Sequence, residues 1–379
     1  MNATKTYAII GCGMMGREHM RNLALVPGAK LLGIADPDEG SRNAALALSI
    51  ELRANGDKVG AYSDPVGAWA DTAGMLAMTC PDAVIIAAPN HTHHAIVRQH
   101  IEPWHGVLLE KPMCTSVEDA RDLVAFAQQH PSLFWVGLEY RYMPPVTRFI
   151  ERVHSGEAGD IRMLAIREHR FPFLVKVGDW NRFNRNTGGT LVEKCCHFFD
   201  LMRHILQDEP VRVFASGGQD VNHLDERYDG KVPDIIDNAF VLVDFKRGAR
   251  AMLDLCMFAE GSEEQEEISA VGPVGKLEVK LPSGAIAWAP RAGAVNDKGQ
   301  RIASYVRPAP EKVETPKDAL DAGSHHGATY FQLRDFHHAL VHGTKPLINA
   351  SDGYRSVVMG AAAQQSIATG LPVDIQFED

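Results

Sequence analysis

Tyr7-Ala8-Ile9-Ile10-Gly11-Cys12-Gly13-Met14-Met15-Gly16 decides the fold: an apolar run enters a turn of G-x-G-x-x-G spacing and leaves it in a stretch of helical character. A second apolar run, Leu31-Leu32-Gly33-Ile34-Ala35, closes on Asp36, twenty residues after Gly16. The spacing alone is weak evidence, but in a strand-turn-helix-strand setting each member has a task. Gly11 permits the tight turn, Gly13 lets a pyrophosphate approach the backbone, and Gly16 lets the helix lie close to the strand. Met14 and Met15 open the helix, whose free N–H groups and positive dipole end face the phosphates. The Asp36 carboxylate suits the diol of an adenosine ribose and repels a 2′-phosphate. Pro37-Asp38-Glu39 add no cation, and Arg42 is the nearest one. The expected cofactor is NAD rather than NADP; the alternative is a glycine-rich turn without a ligand.

Outward from this stretch, short apolar runs alternate with amphipathic segments, the pattern of a doubly wound parallel sheet covered by helices on both faces. Asp82–Ala88, Gly106–Glu110 and Phe134–Glu139 read as further core strands. Ala95–Ile101 and Ser116–Gln129 read as helices, the second with Ser116 as N-cap and Glu118 and Asp119 in its first turn. This Rossmann-type domain spans residues 1–138, and a second domain takes 139–379. In the second, a helix (146–154) precedes a strand (161–170) and a helix from about Thr190 to Leu206. Strand-like runs follow at 211–217, 238–245 and 249–258, then a solvated acidic turn at 263–267 and a strand at 268–271. Strands in succession point to an antiparallel sheet. Residues 284–324 read as a long surface excursion, and helices at 326–342 and 351–369 close the chain.

At 379 residues the chain exceeds the size at which one core keeps growing. Its net charge of −10 argues against nucleic acid as a partner, which would demand clustered Lys and Arg. Six cysteines with no C-x-x-C pair, two of them the adjacent Cys195 and Cys196, fit reduced thiols. No leader and no apolar run of membrane-spanning length is present, so a cytoplasmic protein is expected.

Three segments carry chemistry. Glu110-Lys111-Pro112 ends a parallel strand, where open sheets bind ligands, and a lysine there can orient a substrate hydroxyl; a lysine on a solvated strand end is the alternative. Pro89-Asn90-His91-Thr92-His93-His94 ends another strand, with the Asn90 amide and His93 available to the cofactor. The three imidazoles spread around both sides of an extended segment with no carboxylate near, and no metal is expected. Gly188-Gly189-Thr190-Leu191-Val192-Glu193-Lys194-Cys195-Cys196-His197 opens a helix on which Glu193 and His197 share a face. A carboxylate one turn from a histidine suits a general base, although a structural ion pair or a metal site would show the same spacing.

GCGMMG, APNHTH, EKP and GGTLVEKCCHFFD occur together and in order, and the chain resembles the Gfo/Idh/MocA family of NAD(P)-dependent oxidoreductases over nearly its whole length. The resemblance implies a Rossmann domain followed by an α/β domain built on a large open antiparallel sheet, whose free face forms homodimers or homotetramers. It implies that Lys111 is the catalytic lysine of E-K-P and that His197 is the proton-transferring histidine. Glu193 stands where inositol dehydrogenase-like members carry aspartate, and Lys194 beside it also departs from the common pattern. The implied substrate is a small carbohydrate or polyol. Trp180 and Arg182 lie in a segment whose aromatic face and polar donors suit a sugar ring, and Arg167, His169, His325 and His326 join the substrate residues by analogy. The expected reaction is oxidation of a secondary hydroxyl. Transient oxidation leading to glycoside cleavage or epimerisation, and a cofactor-binding regulator without catalysis, are the alternatives.

Overall fold

The computed structural model describes residues 4–55, 57, 59–291, 296–300 and 306–377. Its elements run β1 (Lys5–Ile10), α1 (Met14–Leu23), β2 (Ala29–Ala35), α2 (Glu39–Ala54), β3 (Gly67–Trp69), α3 (Thr72–Thr79), β4 (Ala83–Ile86), α4 (His93–His100), β5 (Gly106–Leu109), α5 (Val117–Gln129) and β6 (Phe134–Val136). Then come α6 (Pro144–His154), β7 (Met163–His169), α7 (Asn184–Thr187), α8 (Thr190–Glu193), α9 (Cys196–Leu206), β8 (Pro210–Gly218), β9 (Asn238–Phe245), β10 (Arg250–Cys256), β11 (Glu266–Val271) and β12 (Gly275–Leu281). The last are β13 (Ala285–Pro290), β14 (Ala309–Lys312), α10 (Lys317–Asp321), α11 (Ala328–His342), α12 (Ala350–Thr369) and β15 (Val373–Asp374).

The first sheet has the order β3-β2-β1-β4-β5-β6, with every pair parallel. Its middle strands are apolar throughout, as Ala83-Val84-Ile85-Ile86 and Gly106-Val107-Leu108-Leu109 show, because helices cover both faces and leave no wet side. The chain winds outward from β1 in one direction and from β4 in the other. The crevice beyond the carboxyl ends of these two strands is therefore the switch point at which such sheets take ligands.

The second sheet has the order β14-β13-β12-β11-β7-β10-β9-β8-β15. It is mostly antiparallel, with β7 and β10 as a parallel pair at its centre. Burial alternates along each strand: Leu164, Ile166, Leu253, Leu255 and Val279 are buried, while their neighbours in sequence stand on the other face. Three expectations change here. The helix expected across Thr190–Leu206 is two, interrupted at Lys194 and Cys195, where the Cys195 amide reaches back five residues to the Thr190 carbonyl at 3.4 Å in a wide turn. The acidic stretch is not all solvated, because Glu266 begins β11 and its place in the inward register buries it. Residues 284–324 are no bare excursion, since β13, β14 and α10 lie within them; residues 292–295 and 301–305 of that stretch fall outside the described residues.

The chain forms two compact units, neither continuous in sequence. The first comprises Met1–Tyr142, Leu174–Asp200 and Pro316–Ala361; the second comprises Met143–Phe173, Leu201–Thr315 and Ala362–Asp379. The parallel sheet thus shares its unit with the segments that carry Trp180, Arg182, Glu193, His197, His325 and His326. Among the described residues no helix is long and apolar enough to cross a membrane.

Candidate active site

The glycine turn divides its labour by contact. Gly11 has φ +96°, and a Cβ there would lie 2.5 Å from the carbonyl of Ala87. A Cβ on Gly16 would stand 1.9 Å from the Gly11 carbonyl oxygen, whereas one on Gly13 would meet nothing within 4 Å. The outer glycines are closed in by backbone, and the middle one faces open space at the head of α1, which no side chain caps. Beside it, Asp36 accepts from the Cys12 amide (2.7 Å) through Oδ2 and from the Asp38 amide (2.8 Å) through Oδ1. The carboxylate is thereby fixed at the end of β2. Arg42 donates to the carbonyls of Asp36 (2.6 Å) and Pro37 (2.9 Å), which turns its guanidinium to the main chain. An uncovered helix start next to a fixed carboxylate fits the pyrophosphate and ribose of NAD. Burial, then the Asp36 charge, push the Cys12 thiol up to about 12, so it stays protonated.

Beyond β4, Pro89 leads into a 3-10 turn at Asn90–Thr92, and the Thr92 amide and hydroxyl both donate to its carbonyl (2.8 and 2.7 Å). His93 is fully buried, with Nδ1 3.0 Å from the Pro112 carbonyl and Nε2 3.0 Å from the Ala88 carbonyl. It braces the ends of β4 and β5 against each other, and burial lowers its pKa. His94 instead meets Asp122 at 2.7 Å, and His91 stands edge-on to Trp180 with centroids 6.1 Å apart. The three imidazoles have three separate partners. Among the described residues no group of three or more His, Cys, Asp or Glu is placed to hold a metal.

Glu110, at the end of β5, is buried against His19 of α1 (2.7 Å). Burial opposes both charges, yet the mutual hydrogen bond and attraction raise the pKa of His19 and lower that of Glu110. The pair fixes the strand end from which Lys111 projects, and the Lys111–Pro112 peptide is cis. Lys111 Nζ lies 3.4 Å from the main-chain carbonyl of Glu193.

Gly188 and Gly189 have φ of +80° and +92°, and a Cβ on Gly188 would stand 2.7 Å from the Thr115 carbonyl oxygen. They turn the chain into α8, which ends on a buried Glu193, and Lys194 after it and His197 in α9 are buried as well. Burial raises the pKa of the Glu193 carboxyl, while Lys111, Lys176, the Asn90 side chain and Arg182 pull it back. The His197 ring lies flat on Tyr140, with centroids 3.9 Å apart and planes 9° apart, and Lys194 Nζ donates to Tyr140 Oη at 2.6 Å.

His325 is turned towards Glu18, its Nδ1 2.9 Å from Oε1. Burial works against the Glu18 carboxylate, but the hydrogen bond and charge of His325, with Thr329 and Ser324, hold it down at about 2. Thr329 Oγ1 lies 2.7 Å from Glu18 and 2.6 Å from Glu139, and one hydroxyl proton cannot serve both. Burial, with the neighbouring carboxylates of Glu110 and Glu18, raises the pKa of Glu139 against the pull of His325 and Thr329. For His326, burial, then His325 and Lys194, lower the pKa.

Lys111, Asn90, Glu193, His197, Trp180, Arg182, His325 and His326 therefore share the first unit. Arg167 and His169 belong to the second, on the less buried face of its sheet, where Arg167 pairs with Glu267 and His169 Nε2 lies 3.0 Å from Asp254. Tyr140, His19, Glu18, Glu139 and Thr329 were not anticipated. Each acts on a partner tens to hundreds of residues away, a relation that local spacing does not carry; the local signal was a polar pair, Glu18-His19, on the inward side of α1.

Residues 5–138 match a family model described as an oxidoreductase family NAD-binding Rossmann fold, and residues 150–375 match its C-terminal alpha/beta domain. The scyllo-inositol 2-dehydrogenase (NAD(+)) of Bacillus subtilis is 24% identical over 378 residues, 98% of this chain and 96% of that one. Inositol 2-dehydrogenase 3 of Saccharopolyspora erythraea is 27% identical over 387 residues, 99% of this chain and 97% of that one. The solved structure of levoglucosan dehydrogenase in complex with NADH and levoglucosan superposes with a TM-score of 0.80 at 17% identity, over 98% of this chain and 99% of that one, a likeness of fold.

Proposed function

Because the chain belongs to the Gfo/Idh/MocA oxidoreductase family, we propose that it oxidises a secondary hydroxyl of a sugar, inositol-like polyol or glycoside, with His197 and Lys111 as its catalytic residues. The observation that carries this reading is the contact of Lys111 Nζ with the Glu193 carbonyl at 3.4 Å, which ties the lysine at the end of β5 to the segment bearing His197. In residues 1–138, Gly11, Gly13, Met14 and Met15 present backbone to the pyrophosphate, Asp36 takes the ribose, and Pro89, Asn90 and Glu110 border the nicotinamide end. When bound, NAD supplies the hydride acceptor at C4 of that ring. His197 accepts the hydroxyl proton, Lys111 holds the alcohol oxygen and stabilises its developing charge, and Glu193, raised by burial, orients both. Trp180 offers its ring to the C–H face of a sugar, while Arg182, His325 and His326 supply polar contacts.

The names of the inositol dehydrogenases and of levoglucosan dehydrogenase support a ring alcohol as substrate. Residues 139–379 are proposed to serve substrate binding and self-association as a homodimer or homotetramer, supported by Phe214, Phe240 and Leu242, all exposed on one face of the second sheet. The test is a panel of inositols, hexoses and glycosides with NAD, followed at the NADH absorbance. Growth of that band with one class of ring alcohol is the expected result. Product release without net NADH would replace the dehydrogenase by an epimerising or glycoside-cleaving enzyme, and NAD binding with no turnover across the panel would favour a regulator.

A further inference from the structure

We propose that Lys194 and Tyr140 are a positioning pair for His197: the phenol ring fixes the plane of the imidazole, and the ammonium behind it keeps the imidazole in its neutral, proton-accepting form. The inference rests on the reading of His197 as the base and deepens it.

The geometry has three parts. The two rings lie face to face at 3.9 Å and 9°, which leaves the imidazole a single plane in which to present its nitrogens. Lys194 Nζ donates to the far end of the same phenol at 2.6 Å and lies 4.9 Å and 5.6 Å from the ring centroids of Tyr140 and Phe198, so a buried ammonium is held by an oxygen between aromatic rings. Tyr140 itself is not free to drift. Arg141, next in the chain, donates to Asp200 at 2.6 Å and lies 3.4 Å from Asp352, which fastens the 3-10 turn at Glu139–Tyr142 to α9, the helix that carries His197.

Charge supplies the second half. The two centroid distances laid end to end put Lys194 Nζ no more than about 9 Å from the His197 ring. At an effective dielectric near 20, a unit charge at that range disfavours a second cation by roughly one pH unit. Its field reaches the neighbours: after burial and His325, Lys194 lowers the pKa of His326, and it works against the burial that pushes the Cys196 thiol up to about 12. The other ionisable groups around this corner are Lys111 from the end of β5, Glu193 on α8, Cys196 and Asp200 on α9, Arg141 closing on Asp200, and His326 ahead of α11. A role in tuning His197 accounts for the burial of Lys194.

The test follows the ionisation of His197 directly, by NMR titration of histidine-labelled full-length protein without cofactor, the signal being identified by its loss in His197→Gln. Lys194→Met is expected to raise the His197 midpoint by about one pH unit, and Lys194→Arg to restore it to within a few tenths. The acid limb of the kcat/KM profile should move upward by the same amount. Should Lys194→Met fail to fold, Tyr140→Phe keeps the stacked ring and removes only the oxygen that holds the ammonium, and a smaller upward shift is expected. An unmoved midpoint in a folded Lys194→Met, or an unmoved midpoint and profile in Tyr140→Phe, overturns the proposal. Wild-type turnover in His197→Gln would instead sink the role of His197 as base and leave the titration result standing.

Discussion

The two glycine-marked turns of the first unit do opposite jobs with similar parts. At Gly11–Gly16 the backbone is the instrument: two glycines are pressed against carbonyls and the third faces clear space at a helix start. At Gly188–Gly189 the glycines only steer the chain, and the groups that follow, the Glu193 carbonyl and the side chains of Lys194 and His197, meet partners brought from the end of β5 and from the turn after β6. A site made of main chain is damaged by adding a methyl group; a site made of side chains is damaged by removing one.

That contrast can be broken most sharply at the second turn. Lys111→Ala and His197→Ala should each lower kcat by about 10²–10⁴-fold while the dissociation constant for NAD, measured by fluorescence titration, stays within about twofold. Near-normal turnover in either would end the assignment of chemistry to side chains. Gly16→Ala is the converse, because its methyl would collide with the Gly11 carbonyl. It should destabilise the fold by about 2–3 kcal/mol in a denaturant titration and abolish NAD binding, whereas Gly13→Ala should leave stability unchanged and weaken NAD about tenfold.

Between the two lies the buried network on α1, which belongs to neither turn. The Glu18 carboxyl is depressed from 4.5 to about 2 in the folded state, so the stability it contributes is present above pH 4.5 and drains away as the pH falls towards 2. Glu18→Gln should therefore cost about 2 kcal/mol near neutrality, and its unfolding temperature should converge on that of the wild type in acid. The mildest change is Asp36→Asn, which keeps an acceptor for the Cys12 amide and removes the charge. The preference for NAD over NADP should fall about tenfold, and an unchanged ratio would mean that Asp36 does not set it.

The parallel sheet was legible because its strands, wet on neither side, write their burial as unbroken apolar runs, and because the glycine spacing has a task at each place. β3 was not, since Gly67-Ala68-Trp69 is too short to show a period. The Ser116 cap was read correctly: its hydroxyl accepts from the Asp119 amide at 3.1 Å. The break after Glu193 was hidden, because Leu191-Val192-Glu193-Lys194-Cys195-Cys196 holds no glycine or proline and reads as one helix. In the candidate site, Lys111 and His197 were singled out by their motifs, and both fall in the first unit. Tyr140 was invisible, since nothing in Glu139-Tyr140-Arg141-Tyr142 tells which of two tyrosines will lie on an imidazole more than fifty residues on.

The first unit is finished from the far end of the chain: the Val136 amide of β6 donates to the Ile348 carbonyl at 3.1 Å, and Trp135 and Tyr7 both lie against Phe336. During synthesis the ribosome therefore releases six parallel strands long before the helix that covers them exists. Until residues near 336–348 emerge, Tyr7 and Trp135 lack Phe336, and the nascent sheet must wait for this part of its cover through roughly two hundred further residues, tens of seconds at typical elongation rates.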